Sequence, residues 1–252
     1  MNTTHRNTTL LKIWMLSIAF IICVSTALAK GKTYVVAVSV DNQGTLFGVP
    51  AANAKSLARF FKDEQGAEVF LLLEKNATYN NIRRVMRNMF GKARKEDAIV
   101  FIYSGHGYIT TSWAAGGVST WDKSAGGLGY DEIQAIMKSS KASRKMAFVN
   151  ACYAGGFTFK KNQNATRPKA KADVMIYCSS YGDKESLTSS NGIDFIYYVT
   201  KGLKGEADAN GDKKVTAREL FNYTNPKLID CFGIHPLMWG KFRDNMVLSF
   251  VK

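Results

Sequence analysis

Five apolar runs of seven or eight residues alternate with stretches of helical spacing, and this alternation most constrains the fold. The runs are Thr33 to Val40, Ala67 to Leu73, Ala98 to Ser104, Lys145 to Ala151 and Asp173 to Ser180. The first is almost continuously apolar, as a strand covered on both faces must be. Between them, Ala51 to Lys62 places Ala54, Leu57, Ala58 and Phe61 on one helical stripe, and Tyr79 to Ala93, Tyr130 to Ser139 and Asp194 to Leu203 read as further helices. A helix near Thr216 to Tyr223 and an edge strand at Met246 to Val251 complete the expected elements. The glycine-rich stretch 108–127 and the polar, basic stretch 157–171 carry no sustained period. Repeated βα units predict an α/β fold: a mainly parallel central sheet with helices on both faces. Ligands in such sheets bind beyond the carboxyl ends of the strands.

The N-terminus reads differently. Arg6 and Lys12 precede an apolar run, Ile13 to Val24, that leads to Ala27-Leu28-Ala29. This is the pattern of a secretory signal peptide, and the run is short for a membrane span of roughly 20 residues. Cys23 follows Ile22, which is not the small residue that lipoprotein processing uses. We expect a leader at 1–29 and one domain at 30–252, exported to the periplasm or the exterior, with no stable membrane span after cleavage. An uncleaved leader would instead hang the same domain from a membrane.

The net charge is +14, and removing the leader, with two basic residues and no acids, leaves +12. The basic residues are scattered and no aromatic-basic motif accompanies them, so a solvated surface is expected rather than a nucleic-acid partner. Beyond the leader lie Cys152, Cys178 and Cys231. An odd number excludes a fully paired disulfide framework and leaves at least one thiol free.

Two strands end alike. "IVFIYSGHGY" closes in His106 between two glycines, and "KMAFVNACYAGG" runs into Cys152 and then Gly155-Gly156. As neighbours in a parallel sheet, their tips would lie about 5 Å apart, strand to strand. An imidazole beside a thiol removes its proton or stabilises the thiolate, which is the nucleophile. Gly107 and Gly155 would let the backbone approach a substrate and aim N–H groups at it. Either residue alone is more simply a packed core group; together at two glycine-flanked tips they form a candidate catalytic pair. Zinc fits poorly, because neither residue has further His or Cys ligands at zinc spacing.

"YSGHG", followed 46 residues after its histidine by the cysteine of "NACYAGG", resembles the two motifs of the caspase-like cysteine peptidases, the metacaspase branch especially. The resemblance spans Thr33 to about Tyr223, and "SSYGDKESL" and "GLKGEADANGDKKVTARELFNY" are similar to bacterial members. It implies Cys152 as nucleophile, His106 as the acid/base that protonates the leaving amine, and an oxyanion held by the N–H groups of Gly107 and Cys152. A thioester on Cys152 would be resolved by water. It also implies a P1 pocket at Asn53, Ser104 and Asn150. Where metacaspases carry two aspartates this chain has Asn53 and Asn150, which removes the charges that pair with a basic side chain. A polar, uncharged P1 residue is therefore expected.

Two further stretches carry expectations. "DANGDKKVTARE" fits a calcium loop at Asp208, Asn210, Asp212 and Glu219, with the Lys214 carbonyl at the seventh position. Lys213 stands where that loop needs glycine, so self-bonding of the loop is the alternative to a structural Ca2+. No cofactor is expected for catalysis. In "FKKNQNATRPKAK", the residues Lys160, Lys161, Arg167, Lys169 and Lys171 offer sites to an activating trypsin-like protease.

The sequence thus points to an endopeptidase acting on protein or peptide substrates. Two alternatives remain open: a catalytically silent binding or scaffold relative, and a Cys-His transpeptidase sharing the same thioester.

Overall fold

The computed structural model describes residues 31–110, 116–123, 126–158, 174–182, 184–186, 194–233 and 235–252. The leader and most of the basic 157–171 stretch lie outside the described residues.

The chain enters as β1 (Thr33–Val40), α1 (Val49–Asp63), β2 (Glu68–Leu73), α2 (Tyr79–Gly91) and β3 (Ala98–Gly105). After three short strands, β4 (Gly107–Ile109), β5 (Gly116–Val118) and β6 (Leu128–Gly129), come α3 (Tyr130–Ser139), β7 (Arg144–Asn150) and β8 (Met175–Cys178). The last part holds α4 (Phe195–Lys201), β9 (Lys214–Thr216), α5 (Ala217–Phe232), β10 (Leu237–Trp239) and β11 (Val247–Phe250).

Six strands form the main sheet in the order β10-β8-β7-β3-β1-β2. All pairs are parallel except β10 against β8. Alternate residues of each strand feed two separate cores. Val36, Val38, Phe101 and Tyr103 face Ile82, Met86 and Phe90 of α2 and Ile133 and Met137 of α3. Val35, Ala37, Val100, Ile102 and Phe148 face Leu57 and Phe61 of α1, Phe195 and Val199 of α4 and Leu220 of α5. Each such side chain contributes about 1.5–3 kcal/mol by leaving water. The α/β sheet covered on both faces is therefore present, and it fixes the height of every strand tip.

Three differences from the sequence expectation have physical causes. The stretch 108–127 holds β4 and β5, which join β6 in a small antiparallel sheet; its strands are two or three residues long and glycine-rich, too short to display a period. The tail strand pairs β9 in a separate two-stranded sheet rather than edging the main one; β10 takes that edge. Finally, α5 runs on to Phe232 through Pro226. Its start is fixed by a capping box between Thr216 and Glu219, and it ends only at the left-handed Gly233. No helix among the described residues is long and apolar enough to cross a membrane.

Candidate active site

The site stands on the C-terminal edge of β1, β3 and β7. Ser104 pairs in register with Asn150, so His106 and Cys152, each two residues further on, leave the sheet side by side. Gly107 records how closely: a Cβ there would lie 2.0 Å from the Cys152 carbonyl oxygen. Gly105 is equally constrained, with φ 153° and the Val40 carbonyl oxygen 2.3 Å from any added Cβ. Gly155 does not face open space as a substrate approach would require. It packs on the backbone at 180–182, where a Cβ would meet the Gly182 nitrogen at 2.4 Å.

His106 is held from two sides. Its carbonyl accepts the Tyr103 hydroxyl (2.8 Å) and the Ser119 N–H (2.9 Å), tying the tip of β3 to the small sheet. Its ring Nε2 lies 3.3 Å from Asp41 Oδ1 and 3.4 Å from Thr45 Oγ1. Asp41 follows β1, whose last residue, Val40, is opposite Gly105.

Cys152 is partly buried, and Tyr153 after it takes φ 57°, an unfavourable left-handed turn for a tyrosine, secured by its N–H to the Lys184 carbonyl (2.8 Å). The sulfur donates to the Ser186 carbonyl (3.7 Å) and accepts the Ser186 N–H (3.4 Å). Burial pushes the Cys152 thiol above its usual range and Glu185 adds to this, while the N–H groups of Ser186 and of Cys152 itself act against them. No hydrogen bond joins thiol and imidazole among their side-chain contacts; such contacts often tighten only when substrate binds. Cys178 is buried and Cys231 exposed, and all three described thiols are unpaired.

Two of the three expected pocket residues are brought together by one the sequence reading missed. Asn53 on α1 and Asn150 at the end of β7 both donate their amide N–H to Asp194 Oδ2, at 2.7 and 3.0 Å. Asp194 caps α4, its Oδ1 accepting the N–H groups of Ile196 (3.0 Å) and Tyr197 (3.4 Å). It is 1% exposed, and burial raises its carboxyl above the ordinary aspartate range despite these four donors. A carboxylate only accepts, so both amides turn their carbonyl oxygens away from it. That of Asn150 accepts the Ser186 hydroxyl at 3.3 Å. Ser104 is buried at the same strand end.

The 208–219 loop closes on itself. Asp208 accepts the N–H groups of Gly211, Asp212 and Lys213. Asn210 accepts from Asp212, and Asp212 from Lys214. Glu219 turns to the N–H and hydroxyl of Thr216. Lys213 supplies the left-handed turn, φ 62°, that glycine would make in a calcium loop. Among the described residues no three His, Cys, Asp or Glu side chains converge as a metal site requires.

The family model described as the caspase domain matches residues 46–232, and the chain belongs to that family. A crystal structure of a protein from Geobacter sulfurreducens is similar with a TM-score of 0.61 at 15% identity, over 88% of this chain and 100% of that one. Caspase-1 from Spodoptera frugiperda is similar with a TM-score of 0.59 at 14% identity, over 88% and 91% of the two chains. At these identities the likeness is one of fold. A search of curated proteins matches none.

Proposed function

We propose that the protein is an exported cysteine endopeptidase working through Cys152 and His106. The observation that carries this is the register of β3 and β7, with Gly107 seated against the Cys152 carbonyl. Cys152 attacks the scissile carbonyl carbon as its thiol proton passes to His106. The tetrahedral oxyanion is held by the N–H groups of Gly107 and Cys152. His106 then returns the proton to the departing amine, leaving a thioester that water hydrolyses. No cofactor enters these steps, and a calcium ion at the 208–219 loop would serve structure alone.

The pocket of Asn53, Ser104 and Asn150 favours a polar, uncharged P1 side chain, such as Gln or Asn. Each amide gives one N–H to Asp194, and its oxygen, turned from the carboxylate, is the atom that would accept from the substrate. Substrate has to displace Ser186 from both the sulfur and Asn150. An activating protease would cut at Lys160, Lys161, Arg167, Lys169 or Lys171. The Ser186 contacts also favour a second reading, a silent relative whose thiol stays covered.

Peptides with Gln, Asn, Arg, Lys, Asp or Ala at P1, supplied with and without excess amine, test the proposal. Hydrolysis fastest after Gln and Asn is expected, and strict cleavage after Arg or Lys would overturn the pocket reading. Aminolysis products in place of acids would make the protein a transpeptidase, and a preference for Asp would overturn the pocket reading.

A further inference from the structure

The ring of His106 can serve Cys152 through one nitrogen only if the other is committed elsewhere. Asp41 makes that commitment in this structure. Its carboxylate is fixed before any imidazole is considered: Oδ1 accepts the Thr45 N–H and Oδ2 the Leu46 N–H, each at 3.1 Å. Its own backbone N–H donates to Glu74 Oε2 at 2.8 Å, and Glu74 Oε1 accepts the Ser39 hydroxyl at 2.8 Å. Glu74 holds a left-handed φ of 49° at the end of β2, a conformation unfavourable to a non-glycine residue. Backbone N–H groups of the loop after β1 thus hold the carboxylate, while Glu74, at the end of β2, holds the Asp41 backbone beneath it. Only 8% of the Asp41 side chain is exposed, and Oδ1 faces His106 Nε2 at 3.3 Å.

We infer that Asp41 is the positioning residue of the catalytic pair, holding the Nε2–H of His106 so that Nδ1 is the nitrogen presented to the Cys152 thiol. The inference rests on the reading of Cys152 and His106 as a working pair. Thr45 is the competitor for Nε2, since its hydroxyl could donate to that atom and favour the opposite tautomer. Chemistry decides between them: a hydroxyl both donates and accepts, whereas a carboxylate only accepts and binds an N–H more strongly. The proton balance then follows. The thiol proton moves to Nδ1, leaving a thiolate and an imidazolium; the Nε2 proton stays facing Asp41, whose charge compensates the imidazolium. The Nδ1 proton goes on to the leaving amine, and the imidazole returns to its starting tautomer. Asp41 touches neither thiol nor substrate and acts through the ring.

The sequence holds three histidines, His5, His106 and His235, so tautomers can be read directly by nitrogen NMR on full-length protein labelled at histidine. His5→Gln and His235→Gln variants assign the signals. With its ring neutral, His106 should be protonated at Nε2 over Nδ1 by about tenfold or more, the ratio expected of a hydrogen bond to a charged acceptor. Asp41→Asn, whose side chain can donate as readily as accept, should lower the ratio several-fold, toward the modest Nε2–H preference of a free histidine ring; Asp41→Glu should restore part of the preference; Thr45→Val should not lower it. An Nδ1–H tautomer in the unsubstituted protein overturns the inference without any variant, as does an unchanged ratio in folded Asp41→Asn. Because the spectra need no substrate, a protein that cleaves peptides but lacks the Nε2–H preference refutes this inference alone. One with the preference but no cleavage of any peptide refutes the peptidase reading instead.

Discussion

Gly107→Ala tests the closeness of the two strand tips. A methyl at that position would sit 2.0 Å from the Cys152 carbonyl oxygen and 3.1 Å from the Ala151 Cβ. Ordinary contact for a Cβ begins near 3.4 Å, so the tips of β3 and β7 must part by about 1.4 Å or the small sheet must tilt. Neither tip yields easily. Tyr103 anchors the His106 carbonyl from below, and Cys152 is followed by the pinned left-handed turn at Tyr153. Overpacking of this kind costs about 1–3 kcal/mol, and a displacement near 1 Å at a reacting pair lowers turnover by about 100-fold. Gly91→Ala is the control: it ends α2, nothing lies within 4 Å of an added Cβ, and up to about 1 kcal/mol of helix propensity is gained. Urea denaturation and peptide turnover measured on both variants check the expectation. A Gly107→Ala protein with unchanged stability and turnover would refute the close packing of the two tips.

Three further outcomes are expected. Burial favours the neutral acid of Asp194 in the fold, so the stability tied to this group is present at low pH and lost as pH rises through its raised value. Denaturation from about pH 4, the ordinary aspartate value, up to neutrality should therefore show the wild type losing stability relative to Asp194→Asn; a difference constant with pH contradicts this. Tyr103→Phe removes a buried hydroxyl that spans the His106 and Ser119 carbonyls, and should cost about 1–3 kcal/mol and slow turnover with little change in KM; urea titration and steady-state kinetics decide. Calcium should leave the melting temperature unmoved, because Asp208, Asn210, Asp212 and Glu219 already accept their own loop's N–H groups; a saturable rise abolished by Asp208→Ala would show that the loop binds the ion.

What could be read from the sequence was what depends on regular spacing. The apolar runs gave the five parallel strands, and their register carried His106 and Cys152 to one edge. Asn53 and Asn150 were legible as a pair because both fall on motifs. Asp194 was not: it lies 44 residues from Asn150 and 141 from Asn53 and belongs to no motif, being found only when α1, β7 and α4 pack together. Asp41 left a signal that could have been used, a carboxylate immediately after the strand next to the one that carries His106. The strands at 107–109, 116–118 and 237–239 are too short for alternation to register. Gly155 misled because a glycine beside a nucleophile suits substrate approach and tight backbone packing equally well.

The most direct test incubates the purified protein and its Cys152→Ala variant with a diverse peptide library and reads the products by mass spectrometry, before and after nicking of the basic loop with trypsin. Cleavages made by the protein and absent from the variant, clustered at polar, uncharged P1 residues, are the expected result. Identical, uncleaved libraries from both proteins, nicked or intact, would contradict the endopeptidase and leave a caspase-fold binding protein.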